Sequence, residues 1–174
     1  VAIVGEAPGR NEIERGSPFV GQSGALLRDL LYEAWRTLPV RVPRLRYDDF
    51  WITNTVLCKP PSGDIEVFLK SVRDLNKRNM VRWKSAASRA KLALDPLPPK
   101  PVPIPSPVEC CRPRLLPELR GRSVIVPVGA LALRTLDPKK KGIVRWRGAP
   151  FEWNLPDEGT EDEGTENAKD IKRS

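Results

Sequence analysis

Val1-Ala2-Ile3-Val4-Gly5-Glu6-Ala7-Pro8-Gly9 is the stretch on which the fold turns. An apolar run ending on a glycine reads as a short buried strand, Val1–Val4, and a loop rich in glycine and proline follows from Gly5 to about Gly21. Leu26, Leu27, Leu30, Leu31 and Ala34 then recur at helical spacing, with Ser23 as the expected N-cap. Strand, glycine loop and helix in this order open an α/β sheet, whose ligand crevice lies outside the carboxyl ends of the strands. Gly5 and Gly9 permit close backbone approach, and Pro8 stiffens the bend.

Working outward, Phe50–Thr53 and Ser123–Val128 read as further strands, with Gly129 as a turn and Ala130–Leu136 as a short helix. Residues 65–93 read as one or two exposed basic helices, and Arg114–Leu119 as helical. Val144–Trp146 and Pro150–Trp153 suggest a hairpin or edge strands. Seven prolines among the twelve residues Pro96–Pro107 forbid a helix or inner strand and predict an extended linker. The expectation is a three-layer α/β/α domain over residues 1–154. Its central, mainly parallel sheet has about four strands, the last near Val144–Trp153, with a basic and proline-rich insertion at about 63–107. Residues 155–174 repeat Glu-Gly-Thr-Glu and read as an acidic, disordered tail.

Composition removes several function classes. Histidine is absent from the 174 residues, which excludes within them a Ser-His-Asp triad, a Cys-His pair and His-ligated metal. No run approaches the length of a membrane span or resembles a signal peptide, so a cytoplasmic chain without membrane partners is expected. The net charge of +8 is uneven: residues 155–174 hold seven acids against three bases, leaving +12 on the rest. Such a body suits a polyanion, most commonly nucleic acid. Three cysteines make no disulfide framework and point to free thiols or metal ligands. The P-loop and dinucleotide signatures fail, since Gly9 is followed by Arg10-Asn11 and no Gly-x-Gly-x-x-Gly is present.

Taken alone, the Gly5–Gly9 loop is an ordinary turn, but other motifs follow it in order. They are Pro18-Phe19-Val20-Gly21, Ser23-Gly24, Thr53-Asn54-x-Val56-x-Cys58, Cys111-Arg112-Pro113-x-Leu115-x-x-Glu118-Leu119 and Val126-x-Val128-Gly129. The series resembles the uracil-DNA glycosylase superfamily, most closely its iron–sulfur family 4, over roughly residues 1–62 and 107–153. The resemblance implies base-excision repair by hydrolysis of the N-glycosidic bond of uracil in DNA, by a monomer of bacterial, archaeal or phage origin associated with the nucleoid. Gly5, Ala7, Pro8 and Gly9 would then form the pocket floor, and Phe19 would stack on the flipped base. Asn54 would read the uracil edge, because one carboxamide carries both a donor and an acceptor. Glu6 and Glu12 become the acidic candidates for catalysis, and the three side chains Glu6, Phe19 and Asn54 are expected to converge on one pocket.

Cys58 and Cys111 stand where two of four ligands of a 4Fe-4S cluster belong, with sulfurs about 6–7 Å apart and Cys110 facing elsewhere. Two departures accompany the likeness. The cysteines are 53 residues apart, more than the family's usual spacing, and Phe68, Met80 and Trp83 of the insertion are potential DNA contacts. The upstream cysteine pair and the family's His-Pro motif are also missing, so the chain reads as a fragment or incomplete gene product with weak or no turnover. The alternatives are a non-catalytic nucleic-acid-binding module of a larger phage or polymerase-associated protein, and a generic nucleotide-binding α/β protein.

Overall fold

The computed structural model describes residues 1–39, 46–140 and 142–154; the expected tail at 155–174 lies outside the described residues. Its centre is β1 (Ala2–Gly5), flanked by β2 (Trp51–Asn54) and β3 (Ile125–Pro127) in the order β2-β1-β3, both pairings parallel. Gly5 registers with Asn54, and Val4 with both Thr53 and Pro127. The bonding continues past the strand ends, as Thr55 and Val56 donate to the Gly5 and Glu6 carbonyls and Val128 to Val4. A strand paired on both sides must be apolar on both faces, and Ala2, Ile3 and Val4 are all buried.

Helices supply the cover. On the Ala2/Val4 face lie Leu115 and Leu119 of α4 (Pro107–Leu119) and Ala132 and Leu136 of α5 (Ala130–Leu136), with Trp153 packed at the edge. Ile3 points the other way and is only 1% exposed, so that face is covered too. The α/β class and parallel sheet stand as expected. The strand expected near Val144–Trp153 does not: α6 spans Ile143–Trp146, and residues 150–154 are irregular. Instead of Val144–Trp146 pairing as an edge strand, Trp146 turns edge-on to Phe151, ring centroids 5.7 Å apart, and Lys140 sits over both rings. Among the described residues the sheet therefore has three strands.

Other boundaries move for identifiable reasons. A short helix, α1 (Arg10–Arg15), interrupts the first loop. Helix α2 (Gln22–Thr37) starts from Gly21 rather than Ser23, because Gly21 holds the extended cap conformation and accepts the first helical bond from Ala25. Helix α4 begins at Pro107, well before Arg114, because Ser106 and Glu109 exchange side-chain bonds with each other's N–H and proline suits the first helical position. It runs on through Pro113 and Pro117.

The basic stretch is one helix, α3 (Ile65–Ala93), capped by the Asp64 carboxylate accepting from Glu66 and Val67 N–H. Ile65, Leu69 and Phe68 join Val56 and Leu131 in a second apolar cluster. The proline segment forms neither helix nor strand and doubles back along α3: Trp83 Nε1 donates to the Pro98 carbonyl, and the Asn76 carboxamide exchanges two bonds with Ile104. Phe68 and Trp83 are thus spent on packing and hydrogen bonding within the protein rather than left as projecting wedges. Leu115, fully buried, and Val81, 56% exposed, provide the contrast. Leu115→Ala is expected to lower unfolding free energy by about 2–5 kcal/mol in urea denaturation, and Val81→Ala to change it by no more than about 0.5 kcal/mol.

Candidate active site

Two side chains, one from the first loop and one from the end of β2, meet at Gly5. A methyl group placed on Gly5 would collide with Asn54 Oδ1 and would lie 2.7 Å from Phe19 Cε2. Phe19 and Asn54, separated by 35 positions, are therefore neighbours across a residue with no side chain. Both are nearly buried, at 8% and 6% exposure. Among the described residues no group hydrogen-bonds to the Asn54 carboxamide, although its backbone carbonyl accepts from Arg114 Nη2 at 2.6 Å. Neither carboxamide atom is among the described side-chain atoms buried without a partner, so its donor and acceptor face open space where a ligand can complete them.

Phe19 has φ of 54°, a left-handed backbone that a bulky residue adopts only under constraint. Two constraints are visible. Gly24 of α2 lies so close to the Phe19 carbonyl that no side chain fits there, and Arg28 Nη1 donates to that carbonyl at 3.1 Å. The loop between them is tied by Glu12, whose Oε2 accepts from Gly9 N–H at 3.1 Å and Oε1 from Gly21 N–H at 2.8 Å. Partial burial works to raise the Glu12 pKa. The backbone N–H donors of Gly21, Glu12 itself, Gly9 and Val20 outweigh it and hold the carboxyl below its ordinary value.

Glu6 turns to the other neighbour of β1. Its Oε1 accepts from Leu131 N–H at 2.9 Å in the first turn of α5. Gly129, with φ of 107°, is pressed against its carboxylate so that a Cβ would overlap it. Glu6 thus serves as the side-chain cap that Gly129 cannot supply to α5. Phe19 and Asn54 come together as expected, while the Glu6 and Glu12 carboxylates are engaged by separate backbone N–H groups. Ala7 packs against the Val56–Leu131 cluster, Pro8 is half-buried, and Gly9 is the N-cap of α1.

A cavity of about 780 Å³ lies elsewhere, along the outer edge of β3 against Trp146, Phe151 and Trp153, and none of Glu6, Phe19 or Asn54 lines it. Aromatic rings and arginines line it, but no carboxamide does, which distinguishes it from the Gly5 end of the sheet where Phe19 and Asn54 meet.

Comparison with known proteins identifies the family. A family model described as the uracil DNA glycosylase superfamily matches residues 1–164. The chain belongs to the uracil-DNA glycosylase superfamily. A type-4 uracil-DNA glycosylase of Thermotoga maritima is 30% identical over 156 residues, covering 88% of this chain and 57% of that protein. Type-4 enzymes of Archaeoglobus fulgidus and Pyrobaculum aerophilum are 42% and 45% identical over 63 residues, or 36% of this chain and 27% and 28% of theirs. The chain therefore spans just over half the length of the Thermotoga relative.

Cys111 of α4 packs against the Val56–Ile65–Leu69–Leu131 cluster, and Cys58 follows Val56 by two residues. The excursion of α3 and its return thus closes the 53-residue gap. Burial raises the Cys58 pKa, and the neighbouring Cys111 thiol, then Cys110, push it the same way. Cys110 does not face opposite to Cys111, as an extended chain would have it, because both lie on one helix, where successive side chains diverge by about 100°. Among the described residues no group of three or more Cys, Asp or Glu is arranged to hold a metal ion. Two thiols fit half of the ligand set of a four-cysteine cluster, and no more.

Sequence reasoning missed Arg114. It pairs with Glu118 at 2.7 Å, donates to Thr53 Oγ1 at 2.9 Å and to the Asn54 carbonyl, and so holds the end of β2 from below the sheet. The i,i+4 spacing of Arg114 and Glu118 was a readable signal of their pairing, but not of its target. Gly5→Ala is expected to displace Phe19 or Asn54, lowering the melting temperature by several degrees and altering the Asn54 carboxamide resonances in NMR spectra. Because the Glu12 pKa is depressed by folding, its contribution is present above the ordinary glutamate range and lost as pH falls through the folded value. NMR hydrogen exchange should show protection of the Gly9 and Gly21 amides declining on that acidification, and Glu12→Gln should lose the pH dependence.

Proposed function

We propose that the Gly5–Asn54–Phe19 site binds uracil flipped from DNA and that the protein hydrolyses its N-glycosidic bond in base-excision repair. The observation that carries this reading is the nearly buried Asn54 carboxamide, unpaired among the described residues, beside the constrained ring of Phe19. Uracil presents an N3–H donor and an O4 acceptor on one edge, which one carboxamide completes with its own acceptor and donor. Cytosine reverses that pattern and meets the carboxamide only if the amide turns over, so discrimination rests on the bound amide keeping one orientation. Phe19 offers a face for the base, and Gly5 gives the room beneath it that any side chain would occupy.

In the hydrolysis, water adds to the sugar carbon as the bond from that carbon to the base nitrogen breaks; the base departs as an anion with the bonding electrons, and the proton lost by the water passes to solvent. Charge developing on the base is met by the Asn54 amide and by backbone N–H groups of the loop. Glu12 and Glu6 act as positioning residues in this reading, one holding the loop and Phe19, the other joining the loop to α5. With no histidine in the 174 residues, none of them can offer an imidazole to the leaving base, which makes slow turnover the expected behaviour.

Cys58 and Cys111 are proposed as two ligands of a 4Fe-4S cluster of structural role, stiffening the end of β2 against α4. Residues 1–154 are proposed as one glycosylase domain carrying the 63–107 insertion, acting as a cytoplasmic monomer on uracil-containing DNA. Among the described residues no helix is long and apolar enough to cross a membrane.

The test pairs binding with release. An oligonucleotide with a single uracil should bind more tightly than the same sequence with cytosine, and uracil should appear slowly by chromatography. Asn54→Ala should abolish the preference and reduce release at least tenfold (~1–3 kcal/mol for the lost pairing). Equal retention of uracil and cytosine, or an Asn54→Ala protein with unchanged preference, would remove the assignment.

A further inference from the structure

Helix α3 carries a charge pattern that the pocket does not use. Its 29 residues extend about 43 Å at 1.5 Å per residue. Its root, Ile65, Phe68 and Leu69, packs with Val56 and Leu131, and Ala7 of the Gly5–Gly9 loop packs on the same cluster. The helix is therefore anchored at the end of the sheet where Phe19 and Asn54 meet. Beyond the root it is backed by its own return segment, through Asn76–Ile104 and Trp83–Pro98.

Lys70, Lys77, Lys84 and Lys91 recur every seven residues and are all exposed. That interval is close to two helical turns, so they form one row along a single flank, with steps of about 10.5 Å and a total length of about 31 Å. Arg73, also exposed, falls in the same row, and Arg78, Arg82 and Arg89 form a second flank. Among the described residues none of these eight makes an ion pair. Of the two acids on the helix, Glu66 is bound by Arg134 of α5, leaving Asp74.

We propose that the Lys70–Lys77–Lys84–Lys91 row, with Arg73, tracks the phosphate backbone of duplex DNA beside the pocket. The complementarity is one of sign and reach: a row of cations about 31 Å long spans some nine base pairs of a duplex that offers a phosphate charge per ~1.7 Å of axis. Lysine suits this task, being a point charge without the planar fork that reads base edges. The arm thus adds non-specific affinity to a base-reading site, and its biological sense rests on the uracil reading, although the contact itself does not.

The experiment uses the 174-residue chain and a labelled 20-base-pair duplex without uracil, with binding followed by fluorescence anisotropy between 50 and 200 mM salt. The variant K70Q/K77Q/K84Q/K91Q keeps helix propensity nearly constant, and circular dichroism checks that α3 persists. The row predicts a plot of log affinity against log salt less steep by about 3–4, from about 0.9 per lost phosphate contact. Affinity at 100 mM salt should fall about tenfold or more. Unchanged slope and affinity with helicity intact would overturn the proposal, as would an equal or greater loss in R78Q/R82Q/R89Q. Polyglutamate that binds the row as tightly as DNA does would assign the surface to an acidic protein instead. Because the duplex lacks uracil, failure of the Asn54 experiment and failure of this one are separately visible.

Discussion

The close approach of Asn54 and Phe19 over Gly5 is the constraint to which the neighbouring structure answers. Parallel pairing places Gly5 opposite Asn54, and the missing side chain lets a ring from a distant loop lie against the strand. Holding Phe19 in a left-handed conformation costs on the order of 1–3 kcal/mol. That cost is offset by the contacts of Gly24 and Arg28 with its carbonyl and by the two bonds of Glu12 that fix the loop. From the opposite face Arg114 and Glu118 hold the last residues of β2. Strain on one side and a charged network on the other leave the Asn54 side chain as the free end of a rigid assembly.

Much of this was legible in the sequence where local pattern and tertiary demand agree. Ala130–Leu136 was read to the residue, and the central strand was read within one position, because an unbroken apolar run has no other use in so short a segment. Phe19 and Asn54 were identified by order of motifs, and their meeting at Gly5 follows from strand ends that share one edge of the sheet. The Val144–Trp153 strand failed because β-branched residues express a preference for a pleated, paired surface, and aromatic packing at Trp146 displaced it. The expected helix Arg114–Leu119 begins seven residues too late, because the Ser106–Glu109 cap sets the start of α4 at Pro107.

The two loop glutamates show what residue type leaves undetermined. A carboxylate next to a glycine loop reads equally as a chemical group or as an acceptor for orphan backbone donors. Glu6 and Glu12 each accept N–H groups that the loop and α5 would otherwise leave unpaired. Only the three-dimensional partners distinguish these uses, and Leu131 lies 125 positions from Glu6. The same holds for Arg114, whose function is set by a strand 60 positions away.

The excursion of α3 and its proline return also bears on how the chain assembles. Pairing β1 with β3 encloses more than a hundred residues, and closure entropy grows only with the logarithm of loop length. Removing some forty residues from that loop would change its closure by less than about 0.5 kcal/mol. Both ends of the excursion, Ile65 and Val108, pack on one cluster, so the sheet meets the same two anchor points whatever runs between them. The distal helix and its return form a module that sheet closure neither requires nor resists. Lineages are accordingly free to lengthen, shorten or recharge it while the register of Gly5 and Asn54 stays as it is.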